Sequence, residues 1–244
     1  MKILLAPSEK KISGGTQNFN LDTLLFNELT PLRKKLLHQY INILQKNNFL
    51  ELSKMFGLKK EVDINYHNRD IVHELSMKSI ERYTGVAFDY LNYNDLDINS
   101  KSYIDKNVIL CSNLFGFLRA DDMIPEYRLK QGESIGEFKP EKLYKEQSNL
   151  MEEYLKDEDI LDLRAGFYDK FYKPTKNYTT LKFIKEGKVV SHWAKAYRGI
   201  VLREVAKNKI ETLEKFMNLS IENLSINEIQ TKKNKTEIIY TINN

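Results

Sequence analysis

The run Val108-Ile109-Leu110-Cys111 constrains this chain more than any other short segment, because of the loop it leads into. A short apolar run bounded by polar residues predicts a buried strand, here Asn107–Cys111. Between Cys111 and Gly132 the chain then places Arg119 and Arg128, the adjacent Asp121 and Asp122, Pro125, Gly116 and Gly132. A strand end that opens into a glycine-bearing loop is where rigid scaffolds present their chemistry. Gly116 lets the backbone bend sharply, and the two arginines offer planar donor forks suited to phosphate or carboxylate. Two readings stay open at this point. The aspartates either cap a short helix and pair with the arginines, or leave the arginines to bind an anion.

The rest of the chain predicts α/β architecture: a mixed β-sheet surrounded by helices, with a helical excursion in residues 22–92. An opening strand over Met1–Pro7 is followed by a polar loop, Lys10–Asn20, holding Gly14-Gly15, which lacks the Gly-Lys-Ser/Thr ending of a phosphate loop. Asp22 is placed to cap a helix over Thr23–Leu29, and Thr30-Pro31 to start one running to about Gln45. Further helices are expected at Leu50–Phe56, closed by Gly57, at Asp70–Leu75 and at Met77–Tyr90. Pro140 opens an amphipathic helix to about Lys156, and Asp159–Leu163 predicts a central strand. Leu181–Ile184 and Lys188–Ser191 flank Lys185-Glu186-Gly187 as a hairpin. Helices at about Ala194–Asn208 and Glu211–Met217 precede a last hairpin over residues 225–229 and 236–242. No repeat, low-complexity linker or composition shift divides the sequence, so one domain over residues 1–244 is expected.

Composition narrows the class. At 244 residues with 41% hydrophobic and 30% charged side chains, the chain can bury a real core and keep a well-solvated surface. No window approaches the roughly 18 consecutive apolar residues of a membrane span. Met1–Pro7 reads as a strand, not a signal peptide, and one cysteine admits no internal disulfide; a cytoplasmic protein is expected. The balance of 38 basic to 34 acidic residues permits a nucleic-acid partner without demanding one.

Helical angles over residues 192–207 sort a second group of candidates. His192, Lys195, Ala196, Gly199 and Arg203 fall on one side, with Arg198 at its margin. Basic side chains interspersed with the smallest residues predict a face that a polyanion can approach closely. Trp193, Tyr197, Ile200 and Val201 fall on the other side and predict a core stripe. Cys111, at the end of an apolar run, predicts a buried thiol without peroxidatic chemistry. Scattered histidines and a lone cysteine predict no metal site and no cofactor. No nucleophile elbow or established catalytic motif is present, so enzymatic activity is left undecided.

Four segments in register carry a family resemblance. Leu114-Phe115-Gly116-Phe117-Leu118-Arg119, then Asp121, then Pro125-Glu126-Tyr127-Arg128-Leu129 and Gly132 resemble the central signature of the YaaA peroxide-stress family. Ile3–Lys10 resembles its opening strand and Ser-Pro-Ala-Lys-like turn, Tyr83-Thr84-Gly85 its Tyr-x-Gly helix, and His192–Gly199 its Tyr-Ala-Lys-x-x-Arg-Gly segment. Ala120 and Asn113 depart from its usual proline and glycine, and residues 162–168 from its Leu-Ala-Ser-x-Glu-Tyr pattern. The resemblance implies a cytosolic protein acting under hydroperoxide stress, a basic cleft, a helix-hairpin-helix-like DNA contact near Tyr83–Val86, and a lowering of free iron that limits Fenton damage. The phosphate contacts expected from this sequence are Lys10, Arg119, Arg128, His192, Lys195, Arg198 and Arg203, largely independent of DNA sequence. The alternative is an enzyme whose basic cleft holds a small phosphate- or carboxylate-bearing substrate, with Lys195, His192 or Tyr127 as acid or base.

Overall fold

A computed structural model describes residues 1–190 and 193–243 of the chain, together with the backbone of His192. The chain forms two compact units, one of Met1–Ala6, Thr84–Ile109 and Met151–Asn244, the other of Pro7–Tyr83 and Leu110–Leu150. The strands in chain order are β1 (Lys2–Leu5), β2 (Gln17–Asn18), β3 (Leu75–Lys78), β4 (Val108–Ser112), β5 (Gly116–Arg119), β6 (Met123–Ile124), β7 (Ile160–Asp162), β8 (Tyr178–Lys185), β9 (Lys188–Val189), β10 (Leu224–Lys232) and β11 (Lys235–Ile242). The helices are α1 (Thr30–Lys46), α2 (Phe49–Phe56), α3 (Glu61–His67), α4 (Ser79–Arg82), α5 (Val86–Leu91), α6 (Ile98–Asn107), α7 (Pro140–Leu155), α8 (His192–Lys207) and α9 (Leu213–Met217).

Eight strands build one mixed sheet in the order β10-β11-β8-β7-β1-β4-β5, with β9 on β8. β1, β7, β8 and β11 run parallel to their neighbours in that series, whereas β10 and β9 are antiparallel additions. The fold is α/β, as the residue pattern predicts. β1 is buried at every position, as expected of a strand in the middle of a mostly parallel sheet. β10, on the edge, is almost wholly exposed and carries Glu228 and Lys232, charges that discourage further strand addition. Among the described residues no helix is long and apolar enough to cross a membrane.

In the first unit α8 packs on α5 through its small residues. A Cβ on Gly199 would collide with the Ala87 carbonyl oxygen and come within 2.9 Å of the Leu91 amide nitrogen. Ala196 is fully buried. The small residues therefore admit a neighbouring helix of the same chain, which corrects the expectation that they admit an external partner. Trp193 is corrected too: it is 44% exposed, while Tyr197 and Val201 on the same stripe are buried.

In the second unit the predicted helices at 70–75 and 77–90 give way to β3 and α4, and in the first unit to α5. β3 pairs with β2 and β6 in a small antiparallel sheet, and Gly85, at φ 110°, separates α4 from α5. Tertiary pairing outweighs helical propensity over Leu75–Lys78. Asn20, not Asp22, caps the first turn, which is 3₁₀. The helices α3 and α6 lack a strong apolar stripe, and the sequence pattern does not reveal them.

Two arginines hold this unit from inside. Arg82, with no exposed surface, donates to the carbonyls of Ile12, Gly14, Leu75 and Ile124 at 2.6–3.2 Å. Arg33, 1% exposed, donates to those of Phe115 and Phe117 at 3.0 Å and Phe26 at 3.1 Å. Burial pulls Arg33 down to about 10, with Asp122 and Glu28 pulling the other way, so it stays charged at neutral pH. Gly116, at φ 76°, leaves the space that Gln147 fills; Gln147 accepts from Phe117 N at 2.9 Å and donates to Phe115 O.

These contacts predict two stability changes. Gly199→Val should lower the unfolding free energy by about 2–3 kcal/mol, because α8 must move off α5. Arg82→Lys replaces a fork by a three-donor ammonium and strands at least one buried carbonyl, for a loss of about 2–4 kcal/mol. Urea midpoints with unchanged m-values are the readout.

Candidate functional site

The signature loop leaves β4 at Ser112, whose hydroxyl oxygen accepts the N–H of Leu114 and Phe115 and meets the Tyr127 hydroxyl at 2.8 Å. The Tyr127 hydroxyl in turn meets that of Tyr83 at 2.8 Å. Over these rings lies Lys11. Its Nζ is 3.8 Å from the Tyr127 centroid and 4.9 Å from that of Tyr83, and it donates to the Ser8 carbonyl at 3.2 Å. The Lys11 residue as a whole keeps partial exposure, yet its ammonium is desolvated. Burial first, and the Arg128 charge second, hold its pKa well below the usual lysine value. Burial pushes Tyr127 up to about 12 despite its two hydroxyl partners. The result is a buried amine with raised neutral-form population above a relay of three hydroxyls.

Arg128 belongs to the same cluster. It donates to Glu9 Oε2 at 2.9 Å, the Glu9 carbonyl at 3.2 Å and the Phe56 carbonyl at 2.9 Å. Glu9 Oε1 also accepts the Gln131 N–H at 2.8 Å, so this carboxylate ties the opening turn to the loop's far end. Glu126, 3% exposed at its side chain, is ion-paired with Arg69 and lies 3.9 Å from His67. Arg119 donates to Asp121 Oδ1 at 2.9 Å, and its Nη2 is 3.6 Å from Asp122. Asp122 meanwhile accepts the backbone N–H of Leu25 and Arg119. The ion-pair alternative for this loop is thus realised, while Arg119 keeps 42% side-chain exposure. Lys10 is exposed and makes no ion pair among the described residues. The lysine drawn inward is Lys11, which forms a β-bridge with Tyr83. Neighbouring residues of extended chain point to opposite sides, so one of a Lys-Lys pair goes in, and the doublet does not say which.

The first unit positions the remaining candidates. Arg203 donates to the Leu91 and Asn92 carbonyls at 3.0 Å and to Asp95 at 2.7 Å; it closes the C-terminal end of α5. Arg198 donates to Ala194 O at 3.0 Å, and burial lowers its pKa. Lys195 is exposed. The side chain of His192 lies outside the described residues.

A further group carries a signal that helical angles do not capture. Residues 170–198 hold eight lysines and arginines against the single acid Glu186. Within this run Lys182, Lys185, Lys188, Lys195 and Arg198, on β8, β9 and α8, have no carboxylate in ion-pair range among the described residues. Lys185 lies 5.9 Å from the exposed Trp193 ring. An aromatic face flanked by uncompensated cations is suited to nucleic acid.

A family model described as peroxide stress protein YaaA matches residues 1–230. The chain belongs to this family. An uncharacterized protein of Campylobacter jejuni is 45% identical over 244 residues, covering 99% of both chains. A UPF0246 protein of Corynebacterium glutamicum is 31% identical across 90% of this chain and 91% of its own. One from Fusobacterium nucleatum is 28% identical across 80% and 82%. As a YaaA family member the chain is assigned to peroxide stress; the family name specifies no ligand.

The buried cluster predicts a pH response. Burial, then Arg128, hold His67 at about 4 instead of 6.5, with Glu126 pulling upward. Between those values the unfolded chain takes up a proton that the folded chain refuses, so this group lowers stability as pH falls. Asp122, raised by burial to about 6, acts with the opposite sign in an overlapping window. The test is therefore a difference: from about pH 7 to about pH 4.5 the thermal midpoint of the wild type should fall relative to that of His67→Gln. Parallel curves would exclude His67 as the titrating group.

Proposed function

We propose that this YaaA family member acts in the cytosol under hydroperoxide stress by binding DNA, and so limits Fenton damage there, with free iron lowered as part of the same response. The observation that carries the reading is the uncompensated cation group of β8, β9 and α8 beside an exposed tryptophan. Lys185, Lys188 and Lys195 are offered as phosphate contacts and Trp193 as an aromatic platform; Lys10 and Arg119 supply further exposed charge. Arg128 and Arg203 donate to groups of the protein itself and act through the surfaces they hold. Phosphate contacts of this kind read no base edges. They make affinity fall with salt, because each releases condensed counterions.

With about four contacts, duplex affinity should drop roughly 100-fold between about 50 and about 200 mM salt. Replacing both Lys185 and Lys188 by alanine should weaken binding and reduce the log–log salt slope by about 2. Arg203→Ala, a control for a cation already committed to α5, should leave that slope unchanged. A flat salt response measured by fluorescence anisotropy overturns the proposal.

A further inference from the structure

The DNA surface on β8, β9 and α8 makes no use of the Lys11 cluster. Among the described residues no carboxylate lies in ion-pair range of the Lys11 ammonium; its acceptors are two carbonyl oxygens, of Ser8 at 3.2 Å and Glu9 at 3.4 Å. A neutral amine has two N–H groups, enough for both, and keeps its lone pair. Burial and the Arg128 guanidinium work against a third proton. Glu9, Glu126 and the Tyr127 ring favour one, but the two carboxylates are engaged by Arg128 and Arg69. A desolvated lysine beside a second cation is how proteins turn an ammonium into a nucleophile.

The hydroxyls beside it have a direction. Ser112 Oγ already accepts the N–H groups of Leu114 at 3.2 Å and Phe115 at 3.0 Å, which takes both of its lone pairs. Its own proton therefore goes to Tyr127, and that of Tyr127 to Tyr83. Proton donors are thus aligned toward Tyr83, whose ring centroid is 4.9 Å from the amine. Lys11 itself keeps partial exposure, and Lys10, Ile12 and Ser13 beside it are exposed, so the opening turn presents this residue at the surface of the second unit.

We propose that Lys11 forms an imine with an aldehyde. The nitrogen lone pair attacks the carbonyl carbon, the π pair moves to oxygen, and one proton passes from nitrogen to that oxygen. The C–O bond of this carbinolamine then breaks. Its oxygen leaves as water with a proton from the Tyr83 end of the relay, and the second proton of the nitrogen restores the relay. A carbon–nitrogen double bond remains, and no oxidant or reductant is consumed. The aldehyde is either a free small molecule or the ring-opened deoxyribose of an abasic site in DNA. Imine formation itself does not rest on the DNA-binding reading.

Borohydride reduces an imine to a stable secondary amine, so trapping followed by peptide mass spectrometry counts adducts lysine by lysine. The probes are glycolaldehyde and a duplex holding a single abasic site. At about pH 7 an ordinary lysine is neutral in only about one part in 2,500. Lys11 should therefore be labelled at least about tenfold faster than the exposed Lys10, an internal reference that needs no variant. Lys11→Arg should abolish the adduct, and Tyr127→Phe should slow it about tenfold, with the thermal midpoint separating slower chemistry from a lost fold. Labelling of Lys11 by the abasic duplex alone supports the site and assigns its aldehyde to DNA; labelling by glycolaldehyde alone supports it and assigns a small molecule. If neither probe labels Lys11 faster than Lys10, or folded Tyr127→Phe reacts like the wild type, the proposal is wrong. The Lys185→Ala, Lys188→Ala double variant should lose duplex affinity and keep glycolaldehyde labelling, so a failure of the DNA reading is told apart from a failure here.

Discussion

The guanidinium group of Arg82 is the constraint on which the second unit depends. Backbone carbonyls from the polar opening loop, β3 and β6 converge on one side chain with no solvent contact. A charge so buried is tolerated only when its polar groups find partners, and four carbonyls engage all three guanidinium nitrogens. Arg33 repeats the device on the signature loop, from α1. Between them these arginines replace regular secondary structure where the loops are too irregular to satisfy their own carbonyls. The Lys11 cluster and its hydroxyl relay sit on backbone fixed in this way.

The first unit solves a different problem. α8 carries basic residues that face opposite demands: Arg203 closes the end of α5, Gly199 and Ala196 bring the two helices together, and Lys195 stays in solvent. Packing α5 so closely is what a glycine and an alanine on one face achieve. The cationic face that helical angles outline is therefore divided, and its uncompensated charge continues instead onto β8 and β9.

Strands and helices with a strong local signal were legible. The apolar run at β4, the proline starts of α1 and α7, the Gly57 stop of α2 and both hairpins stand where the sequence puts them. Cys111 is buried, as its apolar surroundings imply. Elements whose state depends on a distant partner were not legible. β3 is a strand because β2 and β6 lie beside it, and the segment's own periodicity is helical. The candidate site divides in the same manner. Arg119 and Arg128 were visible as charged residues in a structured loop, but Glu9, Lys11 and Glu126 were not, because ordinary surface residues look the same in sequence.

Residue order alone determines an α/β chain with a glycine-bearing loop after a buried strand, and it is enough to place that chain in its family. What it leaves open is which charges are spent. Arg128, Arg203 and Arg82 have the same chemistry and different fates, according to the carboxylates and carbonyls that folding brings within about 3 Å of each. Electrostatic availability is a property of neighbours distant in sequence. Only the tertiary structure distinguishes a cation that holds the protein together from one left to meet a ligand.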